Sequence, residues 1–211
     1  MKQLQIISYN ILADYLNSHK YIMVDEKYLD NEYRIKLLIK KLKKLLDNNK
    51  NTIVCLQEVG PLQQSFLHVL FSKYNYSSVS FKDLAIYYPN NYKVISVKIN
   101  SIKKLANKYL KGKDKLIEEI SNFHYAYIII QLKTKHFKDI TVCTTHLVSN
   151  PKHNNIKILQ SYLIARKLEK YKRVIFCGDF NSKPDSKVYE LLNNGSTKYP
   201  YHGKLKIKNN F

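Results

Sequence analysis

The sequence predicts a layered α/β sandwich rather than a simple doubly wound sheet. Two observations lead there. Strand-like apolar runs alternate with helix-periodic segments near both ends of the chain, and hairpin-like strands occupy the stretch between. A third observation bears on domain number. The 211 residues would fit one large domain or two small ones, and no Pro-, Gly- or Ser-rich linker divides them, so a single domain over residues 1–211 is expected.

The elements follow in order. Leu4-Gln5-Ile6-Ile7-Ser8-Tyr9-Asn10 reads as a strand ending on a polar residue. From Glu32 to Leu46, Ile35, Leu38, Ile39, Leu42, Leu45 and Leu46 recur at helical spacing, with Lys40, Lys41, Lys43 and Lys44 as a solvated face. Thr52 to Glu58 reads as a buried strand with a polar end, and Pro61 to Phe71 as a helix that Pro61 opens, where its missing N–H costs little. Leu84–Tyr88 and Tyr92–Ile99 read as a hairpin around Pro89-Asn90-Asn91. A basic, helix-prone stretch runs from Ile102 to Ile120. Two strands follow, Tyr125–Leu132 and Ile140–Thr145, joined near Lys135-His136. Asn155 to Tyr171 reads as an amphipathic helix on Ile156, Leu159, Leu163 and Leu168. Val174-Ile175-Phe176-Cys177 drives a strand into Gly178-Asp179, and Asp185–Leu192 is a short helix with Gly195 as its C-terminal cap. Ser196 to Phe211 is polar and weakly patterned.

Composition narrows the function classes. Hydrophobic residues make up 45% of the chain, enough for a real core, and no apolar run approaches the roughly 18 residues a membrane span needs. The N-terminus has no signal-like apolar stretch. The three cysteines, an odd number, each sit in an apolar run and read as reduced core residues. An intracellular chain is therefore expected, with cytoplasm as the default and the lysine clusters leaving a nuclear location open. Lys and Arg number 36 against 16 Asp and Glu, a net charge of +20 that favours a polyanion such as nucleic acid. Lys, Asn, Ile and Tyr are all abundant, as AT-rich coding produces, so mutational bias competes as the source of that charge.

Four strand ends carry polar residues of related chemistry: Asn10, Glu58, His146, and the pair Asp179 and Asn181. Residues two apart on an extended chain share a face, so Asp179 and Asn181 project together. An Asp can take a proton from water or bind a cation, and an Asn beside it can hold an oxyanion without adding negative charge. Glu58 offers a hard oxygen ligand for Mg²⁺ or Mn²⁺. His146 can donate to a phosphate oxygen as charge develops there. If the strands lie side by side in matching directions, these ends meet at one rim and suit phosphate-ester hydrolysis. Each residue also has a bland alternative: an Asx turn at Asp179, a helix-start charge at Glu58, a satisfied histidine at His146, a turn former at Asn10.

Ser8-Tyr9-Asn10-Ile11-Leu12-Ala13-Asp14, Leu56-Gln57-Glu58-Val59, Thr144-Thr145-His146-Leu147 and Cys177-Gly178-Asp179-Phe180-Asn181-Ser182 resemble, in order, the motifs of the endonuclease/exonuclease/phosphatase superfamily. Asn150-Pro151-Lys152, Ile156 to Gln160 and Pro184-Asp185-Ser186 with Tyr189 are similar to its deadenylase branch, and so are Asn194-Gly195, Tyr199 and Gly203-Lys204. That branch holds the carbon-catabolite-repressor-type deadenylases, nocturnin, the Angel proteins and the 2′,5′-phosphodiesterase. The resemblance implies two mixed β-sheets flanked by helices and a Mg²⁺-dependent phosphodiesterase acting on RNA, typically at a 3′ poly(A) tail. It implies Glu58 at the metal, and Asn10 contacting metal or phosphate. It further implies His146 stabilising the pentacovalent phosphate, Asp179 activating water, and Asn181 orienting phosphate. Poly(A), 2′,5′-linked oligoadenylate, cyclic-phosphate RNA ends and nucleotide cofactors all stay open as substrates, because each presents phosphate and adenine or ribose to the same rim.

The family pattern continues past this motif with an Ile-Asp-Tyr-type strand and a terminal Ser-Asp-His, and neither occurs in this sequence. The fold is therefore expected to be incomplete at the C-terminus, with an exposed sheet edge. His124-Tyr125-Ala126 also stands where the family usually has an Asn before a Val-Ala strand. The competing function is a catalytically impaired member that binds RNA or a nucleotide without cleaving it.

Overall fold

A computed structural model describes residues 3–16, 23–134, 138–200 and 203–208. The first sheet holds β1 (Gln5–Asn10), β2 (Thr52–Gln57), β3 (Tyr76–Phe81) and β4 (Leu84–Pro89), in the order β1-β2-β4-β3. The second holds β5 (Lys93–Ser101), β6 (Ala126–Lys133), β7 (Ile140–His146) and β8 (Val174–Asp179), in sequence order. The helices are α1 (Asn31–Asn48), α2 (Pro61–Lys73), α3 (Ile102–Tyr109), α4 (Asp114–Ser121), α5 (Asn154–Leu168) and α6 (Lys187–Asn194).

Strand periodicity builds the layers. In β2, Ile53 and Cys55 point into the sandwich, where Leu84 and Ile86 join Ile128, Ile130 and Val142 from the other sheet. Their neighbours Val54 and Leu56 point outward against Leu42 and Leu46 of α1 and Leu67 and Phe71 of α2. In β6, Tyr127 and Ile129 face outward onto a cluster built from α3 to α6. Side chains alternating across a strand therefore feed two different cores, which is why β2 and β4 are buried at every residue rather than at every second one.

Two parallel pairs position the site. β1 and β2 are parallel and joined through α1; β7 and β8 are parallel and joined through α5. Such crossovers bring both strands of a pair to finish at the same end. Asn10 sits in register with Gln57, and His146 with Asp179. β1 and β2 pack across the sandwich on β8, so all four strand ends share one rim. Below that rim the buried Gln57 Nε2 donates to Thr144 Oγ1 at 3.0 Å, tying the two sheets together.

The structure corrects the sequence reading at three places and refines it at a fourth, the helical 102–120 stretch. Leu84–Tyr88 and Tyr92–Ile99 do not form a hairpin: β4 pairs with β3, and β5 pairs with β6 in the other sheet. The Pro89–Tyr92 turn carries the chain from one sheet to the other, with Tyr92 buried in the inter-sheet core. Apolar runs flanking a turn show that two strands exist, not which neighbours they pair with. The basic 102–120 stretch is two helices, broken where Gly112 adopts φ +79°. Helix α5 is not amphipathic. Ile156 to Ser161 and Leu163 to Ala165 are buried, because sheet, α3, α4 and α6 surround it. The polar tail forms a hairpin, β9 (Ser196–Tyr199) with β10 (Gly203–Lys206), which buries Thr197, Tyr199, Leu205 and Ile207. The expected link near Lys135-His136 lies outside the described residues.

Other expectations agree. Gly195 caps α6 in the left-handed region at φ +72°. The thiols of Cys55, Cys143 and Cys177 are free, with Cys177 half-buried. Burial pushes the Cys143 thiol well above its ordinary value. β8 is an edge strand whose residues Ile175–Asp179 are half-buried, and the β9–β10 hairpin is a separate sheet that does not extend it.

Candidate active site

Each site residue sits where a strand stops. Asn10 ends β1, and its Oδ1 accepts from the Leu12 N–H at 3.0 Å. Asp179 ends β8, and its Oδ1 accepts from the Asn181 N–H at 2.8 Å. Both are Asx turns, so the bland reading of Asp179 is correct as local structure and compatible with a functional one. Leu12 and Asn181 take φ +54° and +48°, and Glu58, just past β2, takes φ +56°. Three non-glycine residues in this region surround one centre, a strained backbone of the kind that clusters at functional sites.

Gly178 is fixed by geometry. At φ +143°, a Cβ there would lie 2.1 Å from the Thr145 carbonyl oxygen, so only glycine lets β8 approach β7 at this point.

The side chains converge. Asn10 Nδ2 donates to Glu58 Oε1 at 2.7 Å and to Asp179 Oδ2 at 2.8 Å, holding carboxylates from opposite sheets with one amide. His146 Nε2 lies 3.7 Å from Glu58 Oε1 and 3.9 Å from Asp179 Oδ2. Ligand atoms of Glu58, His146 and Asp179 all lie within 4.8 Å of one another. Asn181 is adjacent but turned aside: its Nδ2 donates to the Leu147 carbonyl at 2.9 Å.

Sequence reasoning missed Asp83, on the β3–β4 turn, which sits 3.1 Å from His146 Nδ1. Burial draws the His146 imidazolium down, but the Asp83 contact and then the charges of Asp83, Asp179 and Glu58 outweigh it, and the net shift is upward. For Asp83, burial raises and His146 lowers, with a net shift downward. The only local signal for Asp83 was a Lys-Asp pair between two apolar runs, legible once β3 is recognised as a strand. Tyr15 was missed as well. It is 64% exposed at the rim, and slight burial followed by the charges of Asp83, Glu58 and Asp14 pushes its phenol up.

A divalent cation fits this donor set. Glu58 Oε2 is buried with no hydrogen-bond partner, an expensive arrangement for a carboxylate oxygen unless a cation takes it. Three carboxylates, Glu58, Asp83 and Asp179, crowd one imidazole, and a phosphate would meet net repulsion there without added positive charge.

Residues 7–203 match the Endonuclease/Exonuclease/phosphatase family. The chain belongs to that family. Within it, the chain is 29% identical to the CCR4-Not complex 3′-5′-exoribonuclease subunit Ccr4 of Candida albicans, over 92% of this chain and 29% of that protein. It is 25% identical to human 2′,5′-phosphodiesterase 12, over 92% of this chain and 36% of the relative. The chain thus spans about a third of the length of these curated relatives. The crystal structure of ANGEL2, a 2′,3′-cyclic phosphatase, superposes with a TM-score of 0.74 at 22% identity, covering 92% of this chain and 57% of that one, and shows the shared fold. These relatives belong to the deadenylase branch that the sequence motifs resemble.

Proposed function

We propose that the protein is a divalent-metal-dependent phosphodiesterase that cleaves RNA, with Mg²⁺ as its ion and the 3′ end of poly(A) as its preferred substrate. The observation that carries this reading is the Asn10–Glu58–Asp179–His146 cluster, together with the buried Glu58 oxygen that has no hydrogen-bond partner. The RNA and 3′-end preference rests on the likeness to Ccr4, described as a 3′-5′-exoribonuclease, and on the net charge of +20.

The roles of Asp179 and His146 are supported by their contacts, and those of Asn10 at the metal and Asn181 at the phosphate by the motifs they stand in. Glu58 and Asn10 would hold the metal, which would neutralise phosphate charge and make a coordinated water more acidic. Asp179, oriented by the Asn10 amide and the Asn181 N–H, accepts the proton of the attacking water. His146, whose hold on its proton the Asp83 contact strengthens, donates to a non-bridging phosphate oxygen as negative charge builds on it. Asn181 borders the same phosphate. The P–O3′ bond to the preceding nucleotide breaks, its 3′-oxygen takes a proton from solvent to become a hydroxyl, and a 5′-monophosphate is released.

The test is shortening of 5′-labelled poly(A) by purified protein in Mg²⁺. Shortening that EDTA stops and Asp179→Ala abolishes supports the proposal. Intact RNA at high protein concentration, with RNA binding preserved, would leave the impaired, RNA-binding reading in its place.

A further inference from the structure

Beside the catalytic rim, a groove of about 600 Å³ runs between the start of α5 and the segment 181–188. Asn154, Lys157, Asn181, Ser182, Lys183 and Ser186 line it, with Asp185, which is exposed and solvated. Asn181 belongs both to this groove and to the site, so whatever fills the groove lies directly beside the reaction centre.

Lys157 is the anomaly. It is 3% exposed, and lysines are almost never buried to that degree unless paired. Its Nζ donates to Asn154 Oδ1 at 3.3 Å, a long bond to a neutral amide. Among the described residues, no carboxylate lies within ion-pair distance of it. An ammonium carries three donors, and leaving two without acceptors in a buried setting is costly. The sequence reading gave this residue only as part of the Ile156–Gln160 run that resembles the deadenylase branch, with no role of its own.

We propose that Lys157 is the seat for a second phosphate, the one adjacent to the scissile phosphate of a bound RNA strand, with the groove enclosing the nucleotide between them. The volume lies in the range of one nucleotide-sized ligand. The phosphate supplies the acceptors that the buried ammonium lacks, in a charge-assisted bond stronger than the one to Asn154. This placement of the ligand rests on the phosphodiesterase reading of the neighbouring rim. The buried cation itself does not.

Binding of 5′-AMP, of the dinucleotide ApA and of adenosine to metal-free protein tests the seat. Wild type is expected to bind AMP and ApA more tightly than adenosine. Lys157→Met should weaken both phosphate ligands by about tenfold or more while leaving adenosine unchanged, and Lys157→Arg should restore part of the loss. A Lys157-dependent response of ApA supports the backbone seat; a response of AMP alone overturns it, because the proposed phosphate is a diester of the strand. Exposed Lys111→Met is the charge-matched control and should change nothing. Equal phosphate binding by wild type and a folded Lys157→Met overturns the proposal, as does phosphate binding no better than adenosine. Should Lys157→Met fail to fold, the ε-carbon NMR signal of Lys157 in wild type decides: it shifts on adding ApA if the seat is real and stays fixed if it is not. Poly(A) cleavage in Mg²⁺ by the same preparation separates the two readings. Phosphate binding through Lys157 without cleavage overturns the hydrolase alone; cleavage with equal KM in wild type and Lys157→Met overturns the seat alone.

Discussion

At the scale of single residues, one amide organises the site. Asn10 reaches carboxylates on both sheets, so Asn10→Ala would remove two hydrogen bonds and free two like charges to repel each other. In the proposed mechanism Asp83 acts through His146, as its positioning residue. Asp83→Asn keeps the shape but removes the charge that raises the proton affinity of His146, and kcat is expected to fall about 10- to 100-fold with the melting temperature little changed. A wild-type rate would remove Asp83 from the machinery. Glu58→Gln removes the charge from the orphaned oxygen, and Mg²⁺ binding measured by calorimetry should weaken at least about tenfold. The five residues Asn10, Glu58, His146, Asp179 and Asn181 were legible in the sequence because each follows an apolar run that must be a strand. Asp83 and Tyr15 were not: each sits on a local turn whose sequence says nothing about the histidine or carboxylates brought next to it.

At the scale of elements, β8 and α5 carry the most consequence. Gly178→Ala would drive a methyl group into the Thr145 carbonyl and disturb the β7–β8 pairing that aligns His146 with Asp179. A loss of roughly 2 kcal/mol or more in stability is expected by chemical denaturation, with activity falling further than stability. An ordinary midpoint would show that the strand can shift without cost. Helix α5 is buried over most of its length and Leu159 is fully buried, so Leu159→Ala should cost about 2–5 kcal/mol. The period of its apolar residues announced a helix correctly. Its fully buried setting could not be read, because Lys157, Gln160 and Ser161 are polar by type and buried only through what the rest of the chain lays over them. The same limit explains the missed β9–β10 hairpin, whose four buried residues alternate with lysines.

At the scale of the whole molecule, charge and topology act together. A net +20 spread over 211 residues should make RNA binding steeply salt-dependent, with affinity falling at least about tenfold between roughly 50 and 200 mM salt by fluorescence anisotropy. A flat salt response would assign the lysine excess to composition alone. The sequence by itself determined the strands, the helices, the family motifs and the residue types at each strand end, because hydrophobic period and turn chemistry are local properties. It did not determine that β4 and β5 belong to different sheets, that Asp83 stands behind His146, or that Lys157 is buried beside Asn181. The tertiary structure decided those. Two parallel crossovers, β1–α1–β2 and β7–α5–β8, finish at the same rim only once the two sheets pack face to face, and burial is a property of that packing rather than of any stretch of chain.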